Sequence, residues 1–418
     1  MRTVVIGGGL IGLCTAQALV EREQEVLVLE AREGVGLETS FANGGMLTPS
    51  LPEPWNGPGV FAHLLASLFN PRASTKLRLR AVPSLVSWGI EFLKNAAPDR
   101  YVAATRDNFR LACYSLQKTL EVTQRLDLAY DLSERGTLCI FEDAGHMAER
   151  TGLCKDLADL GLAMRECGVA QVIDIEPTLA PIRDRLVGGL WLPGDARGDA
   201  HLFCCALARA MAGQGVRIVT RSTVTRLVVA GGRVLGVATD AGILRADRVV
   251  VAAGVRSPAL LETAGQSVPV KPAKGYSITM EGSTLGRLPD VTLLDDVSHT
   301  VINSFGDRLR IAGTAEFAGF DKTVTPARID NLLRALDSVL PDLAAKVDRD
   351  AVKPWVGLRP MSSDGRAFIG PTATDGLFVN TGHGALGWTM AMGSAHVLAD
   401  QIIGRQPEVD AQPFRIDR

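Results

Sequence analysis

A glycine run near the start of the chain has the types and spacing to grip a diphosphate. Thr3 to Ile6 is apolar, Gly7-Gly8-Gly9-Leu10-Ile11-Gly12 follows, and Leu10 to Glu23 reads as a helix. Gly7 allows a tight bend, Gly9 lets backbone approach a pyrophosphate, and Gly12 lets helix pack on strand, with Ala16 continuing the small face. A helix starting here offers free N–H groups and a partial positive charge to the anion. Val26 to Glu30 reads as the next strand, and Glu30 stands about 18 residues beyond Gly12, near the spacing at which a carboxylate accepts from ribose hydroxyls. Strand, helix, second strand and terminal acid together predict a site for the ADP half of a dinucleotide.

Two later segments bear on which dinucleotide. Asp247-Arg248-Val249-Val250-Val251-Ala252-Ala253-Gly254 runs an apolar strand into a small-residue turn, where backbone can approach the ligand a second time. Gly376-Leu377-Phe378-Val379-Asn380 leads into Thr381-Gly382-His383-Gly384 and a helix from about Leu386, aiming another helix N-terminus at a ligand. That end suits the electron-rich N1/C2=O edge of a reduced flavin, so the expectation is FAD rather than NAD.

These residues need a two-part scaffold. The 418 residues exceed one ordinary core. After the opening βαβ unit, Gly34 to Pro58 lacks periodicity and reads as a ligand-touching loop. Apolar stretches at Val60 to Phe69 and Leu85 to Leu93 flank a basic patch, Arg72 to Arg80, and Arg100 to Leu126 reads as a long amphipathic helix. Val216 to Val219, Val224 to Val229, a Gly231-Gly232 turn and Val234 to Thr239 form a meander leading to Val249 to Ala252. Val268 to Ala315 is strand-rich, Pro326 to Leu340 helical, and Leu377 to Ile403 a last strand–helix pair. The expected fold is α/β (α+β overall): a Rossmann-type FAD-binding domain from 1–50, 188–265 and 350–418, interleaved with an antiparallel-sheet substrate domain from 51–187 and 266–349.

Composition removes several alternatives. Lys and Arg total 44 against 46 acidic residues, so no global charge draws the chain to nucleic acid. The 7 cysteines include no C-x-x-C pair, which argues against a disulfide framework and a zinc or iron–sulfur site. No apolar run reaches the roughly 20 residues of a membrane span. An apolar strand begins at Thr3 with no signal-like segment before it, and the expectation is a cytoplasmic protein, with peripheral attachment to the inner membrane face left open.

Over nearly its whole length the sequence resembles the FAD-dependent D-amino-acid dehydrogenase family, a branch of the wider glycine oxidase and sarcosine oxidase flavoenzymes. The resemblance rests on the opening fingerprint, Thr39-Ser40-Phe41-Ala42-Asn43-Gly44-Gly45, Trp88-Gly89-Ile90-Glu91-Phe92-Leu93, Lys274-Gly275-Tyr276-Ser277, Gly357-Leu358-Arg359-Pro360, and Gly382-His383-Gly384-Ala385-Leu386-Gly387-Trp388-Thr389. It implies a non-covalent FAD, contacted early in the chain by Gly7, Gly9, Leu10, Ile11, Gly12, Glu30, Ala31, Ser40, Asn43, Gly44, Gly45 and Met46. Later contacts would come from Val224, Ala253, Gly254, Arg359, Gly382, His383, Gly384, Leu386, Gly387, Trp388 and Thr389. Gly45-Met46-Leu47 is closer to the glycine oxidase version of its loop, and where those relatives carry a tyrosine this chain has Thr300-Val301-Ile302.

The chemistry implied is removal of hydride from the carbon beside a neutral amine, giving an imino acid from a D-amino acid or a D-proline or hydroxyproline type imino acid. No strong protein base is obligatory, but the carboxylate must be fixed, and a planar guanidinium does this best. The resemblance places that role on Arg359. Tyr276 could bond the carboxylate, cover the flavin or pack in a core; His383 and His299 could line the pocket or be structural, with His383 favoured by its glycine neighbours. The apolar stretches near Leu64-Leu65 and Trp88 to Leu93 admit core, lid and docking-surface readings. Electrons would pass to a quinone or a partner subunit; the alternatives are an oxidase of glycine or sarcosine type and one subunit of a hetero-oligomeric amine dehydrogenase.

Overall fold

A computed structural model describes residues 1–60 and 75–418. Most of the apolar stretch after Val60, including Leu64-Leu65, and the basic patch from Arg72 to Ser74 lie outside the described residues. Two sheets organise the rest.

The first has six strands in the order Phe368–Pro371, Leu377–Thr381, Arg248–Val251, Arg2–Ile6, Glu25–Leu29 and Arg217–Val219. All pair parallel except Phe368–Pro371, which runs antiparallel to its neighbour. Its strands are apolar at successive positions because both faces are covered. Val5, Val28 and Val250 belong to a cluster formed with the helices Leu10–Val20, Pro98–Leu126, Ala200–Gly213 and Gly387–Ile403. Val4, Ile6, Leu27, Leu29, Val249 and Val251 face the opposite way, toward Leu227, Val234 and Val237 of an antiparallel meander. The meander turns at Gly231 and Gly232, both at positive φ, as a two-residue hairpin requires.

The second sheet has nine strands, centred on the antiparallel run Lys353–Ser362, Val270–Glu281, Arg308–Phe317 and Thr300–Phe305. One face packs Tyr276, Ile278, Ile302 and Ile311 against Leu332, Leu336 and Val339 of the helix Pro326–Val339. The other face meets the loop beyond the first βαβ unit. Ser277 Oγ donates to the Ala42 carbonyl at 2.6 Å, and Asn303 Nδ2 to that of Gly44 at 2.7 Å.

Two strands lie in the sheet opposite to the half their segments were assigned to. Gly188–Leu192 and Lys353–Ser362, assigned from sequence to the cofactor half, pair in the second sheet. Both begin their segment's apolar pattern immediately before a crossing, which hydrophobicity does not mark. The first helix also stops at Val20 rather than Glu23, because the chain turns at Glu23 with φ at 57°.

The helix Val82–Lys94 divides the readings of its apolar stretch by face. Leu85, Trp88 and Phe92 are buried against Ala273, Phe317 and Met361, as a core helix would be. Val86, Ile90 and Leu93 project from the other side and are exposed.

Candidate active site

The opening turn is built so tightly that backbone alone fits. A Cβ at Gly12 would lie 1.9 Å from the Gly7 carbonyl oxygen, and one at Gly7, whose φ is 118°, would lie 2.5 Å from that of Ala252. The Leu10–Val20 helix receives no side-chain cap from Gly9; instead the Leu10 N–H donates to Ser40 Oγ at 3.2 Å. Glu30 sits beside this turn, accepting from the Gly8 N–H at 2.6 Å and the Arg32 N–H at 2.7 Å. Ala31, next to it, is exposed. The segment leading to Val224 runs alongside, with the Ser222 N–H donating to the Glu30 carbonyl at 2.9 Å, and Val224 packs half-buried near Ile6 and Leu29.

Farther along the same edge, the parallel strand ending at Val251 delivers Ala253 and Gly254, the latter at φ 54° with open space where a side chain would be. Thr381 Oγ1 donates to the Gly254 carbonyl at 3.2 Å, joining this turn to the late strand. The loop Asn43 to Met46 is held from three sides. Asn43 Oδ1 accepts from the Gly45 N–H at 2.9 Å, Gly45 accepts from the Gly198 N–H at 2.9 Å, and Thr389 Oγ1 bonds both the Thr48 N–H and the Met46 carbonyl. Gly384 and Leu386 form one tight turn before the helix that Gly387 opens. Trp388 points away from this edge: its indole N–H donates to the Gly198 carbonyl and its ring packs with Tyr130 and Phe203.

The structure thus lines up the three glycine turns and the Asn43 to Met46 loop along one edge of the first sheet, a cradle of backbone groups suited to an extended dinucleotide. The residues present fit FAD.

Arg359 lies beyond this cradle, on the strand Lys353–Ser362. Its guanidinium crosses directly over Gly275 of the neighbouring strand, where a Cβ would come within 2.3 Å of Nη1. Nη1 donates to the Thr314 carbonyl at 3.4 Å, and Cζ stands 5.3 Å from the centre of the Trp55 ring. Burial pushes the guanidinium pKa down to about 10, and no carboxylate among the described residues offsets it. Arg359 is therefore still charged at neutral pH and has no acidic partner of its own. The Thr314 carbonyl reaches it through a register shift in the sheet, at which Thr314 adopts φ 52°. A β-branched residue there is strained.

Tyr276 does not join Arg359. It is buried on the other face of the sheet, where its phenol donates to Glu316 Oε2 at 2.7 Å, and burial followed by the bonds around Glu316 raises its pKa. The alternation of the strand explains this: Gly275 and Ser277 face the cradle, so Tyr276 faces the core. His299 is exposed at a turn with φ 51°. His383 is buried, its Nε2 3.0 Å from Ser394 Oγ, and desolvation lowers its pKa to about 3, so the ring is neutral. Through its carbonyl it also starts the Gly384 to Leu386 turn, and it lines a narrow cleft shared with Trp55, Met361 and Leu386.

Trp55 and Thr314 are site residues that the sequence reading missed. Trp55 falls in the loop expected to touch ligand, but nothing in its sequence neighbourhood singled it out. Thr314 carried no sequence signal, since only the register shift exposes its carbonyl.

Comparisons with known proteins place the chain in a family. A family model described as FAD dependent oxidoreductase matches residues 2–401. A protein named D-amino acid dehydrogenase from Methylobacterium nodulans is 40% identical over 413 residues, covering 98% of this chain and 97% of its own. One of the same name from Paramagnetospirillum magneticum is 38% identical over 419 residues, covering 100% of this chain and 99% of its own. In fold, the chain is similar to glycine oxidase from Geobacillus kaustophilus, with a TM-score of 0.76 at 23% identity and coverage of 100% and 99%. With a family model matched along nearly the whole chain and full-length relatives near 40% identity, the chain belongs to the FAD-dependent oxidoreductase family.

Proposed function

We propose that this chain oxidises a D-amino acid, including a D-proline or hydroxyproline type imino acid, to the imino acid and delivers the electrons to an acceptor other than oxygen. The observation that carries this reading is Arg359, a half-buried cation with no acidic partner among the described residues and one edge over a glycine. Such a group awaits an anion, and a planar carboxylate matches its fork. The relatives named D-amino acid dehydrogenase, similar over their full length, support the choice of substrate and of a dehydrogenase.

Bound FAD supplies the hydride acceptor. The N–H groups of Gly9, Ile11 and Gly12 would hold its diphosphate, with Leu10, whose N–H is taken by Ser40, lining the same turn, and Glu30 would accept from its ribose with lone pairs not used by Gly8 and Arg32. Gly44, Gly45, Met46 and the Gly382 to Gly387 turn hold the ring end without a covalent link. Arg359 binds the substrate carboxylate and so orients the adjacent carbon toward the ring, the main demand of a reaction in which the cofactor carries the redox step. The first sheet with its meander forms a cofactor half, and the second sheet a substrate half. Among the described residues no helix is long and apolar enough to cross a membrane; a quinone or a partner subunit would take the electrons at the surface.

The test is anaerobic mixing of the holoenzyme with D-, L- and N-methyl amino acids, both proline and hydroxyproline isomers included, followed by dye reduction and peroxide assays in parallel. Bleaching by D-isomers with dye reduction exceeding peroxide is expected. Bleaching by L-isomers alone would sink the reading, and stoichiometric peroxide from glycine or sarcosine would favour the oxidase, to which Gly45-Met46-Leu47 points. Arg359→Ala is expected to raise KM roughly 10- to 100-fold, the worth of charge-assisted hydrogen bonds, and an unchanged KM would remove it from the pocket.

A further inference from the structure

Arg359 presents a physical problem: a guanidinium withdrawn from solvent is ordinarily held by a carboxylate, and here, half-buried in the sheet, it has none among the described residues. Its stem is fixed by the strand, its Nη1 meets a peptide carbonyl at 3.4 Å, and its Cζ stands over the Trp55 ring, 5.3 Å from the centre. We propose that Trp55 is the positioning residue for Arg359, its ring holding the guanidinium by the face so that the hydrogen-bonding edge stays free for the carboxylate of the substrate. This rests on the reading of Arg359 as the carboxylate site.

The chemistry favours an aromatic in this place. A carboxylate partner would neutralise Arg359 and compete with substrate for the same N–H groups. An indole attracts the cation through its quadrupole, is the best of the rings for it, and takes no N–H donor. Guanidinium is planar and weakly hydrated, so it stacks where a lysine would not.

Trp55 is equipped to stay put. Its loop is fastened on both sides of the ring by buried polar contacts. Ser50 Oγ donates to Asp195 Oδ2 at 2.5 Å, Arg150 pairs with Glu53 at 3.0 Å, and Asn108 Nδ2 donates to the carbonyls of Pro52 and Gly365 at 3.0 Å each. Asn56 Nδ2 reaches the Ser363 carbonyl at 3.4 Å. The ring also packs on the cluster of Trp88, Phe317 and Met361. Four fastenings on seven consecutive residues exceed what a surface loop needs, and their common effect is to fix the one aromatic side chain among them. The cleft beside it is lined by Pro54, Met361 and Leu386, and its acid, Glu53, is engaged by Arg150.

The experiment uses the FAD-loaded wild type, Trp55→Phe and Trp55→Leu. Benzoate, a carboxylate that is not oxidised, is titrated calorimetrically, and KM and kcat are measured with a D-amino acid and a dye acceptor. Trp55→Leu is expected to weaken benzoate about tenfold and raise KM in parallel, with kcat within about threefold, and Trp55→Phe to recover most of the loss, in proportion to a cation–π contact that is desolvated. Benzoate affinity unchanged in Trp55→Leu, or a Phe variant as impaired as the Leu variant, overturns the proposal. So does a loss confined to kcat. A wild type that binds no benzoate overturns the carboxylate site itself, whereas oxidation of L-amino acids with benzoate affinity falling as expected leaves Trp55 in its role and removes only the D-amino acid reading.

Discussion

At the scale of single residues, the site works by what is left out. Gly12 has no room for a methyl group, since a Cβ would sit 1.9 Å from the Gly7 oxygen. Gly12→Ala is therefore expected to push helix from turn and to yield protein largely without flavin, read as the ratio of visible to ultraviolet absorbance; a fully loaded variant would show that the turn can open. Gly275 is cleared in the same sense to let the Arg359 guanidinium pass, so a strand position that sequence marks only as glycine becomes part of the carboxylate site proposed above. These glycines were legible in the sequence as a motif, and Arg359 and His383 through the resemblance. Trp55 and the Thr314 carbonyl were not, because their relation to Arg359 is set by two strands and a loop far apart in the chain.

Elements add the question of how rigidly those residues are presented. The opening βαβ unit, the meander and the last strand and helix were readable from periodicity, because each switches cleanly between alternating, continuous and helical patterns. The short strands Thr137–Phe141, Arg165–Cys167 and Gly188–Leu192 were not, since each is a few residues long and its partners lie elsewhere in sequence. The loop bearing Trp55 was readable only as a loop; its fastening to Asp195, Asn108 and Arg150 is tertiary. Asp195 gives this fastening a pH signature. Burial pushes its carboxyl up to about 6, against hydrogen bonds from Ser50 that favour the anion. Unfolded, the group titrates near 3.9, so the native state holds the extra proton in between, and stability contributed by Asp195 falls as pH rises from about 4 to about 6. Asp195→Asn should flatten that part of the melting-temperature profile; a profile unchanged in slope would mean that the carboxyl is ionised throughout.

The whole molecule is knit from its two ends. Arg2–Ile6 lies between Glu25–Leu29 and Arg248–Val251, and Leu377–Thr381 pairs on the far side of the latter. The late helix Gly387–Ile403 lies in the same core as the first helix, and Asn380 Nδ2 donates to Thr15 Oγ1 at 3.0 Å. A chain truncated after Asp375 is thus expected to bind no flavin and to lack a cooperative melt, and a well-folded flavin-bearing fragment would show the late strand to be dispensable. The general plan of two interleaved halves was legible because the strand pattern restarts after long interruptions, but the places where the backbone crosses between sheets carried no marker.

That the Arg2–Ile6 strand borders partners so distant in the chain has a consequence for the order of events during synthesis. Ile6 waits for Thr381: at about 5–20 residues per second, roughly 20–75 s separate the emergence of the two. Over that interval the glycine turn has its local βαβ unit but not its full cradle. Capture of the cofactor then waits for the Gly382 to Gly387 turn, and a bound flavin certifies that the late strand has been correctly threaded into the first sheet.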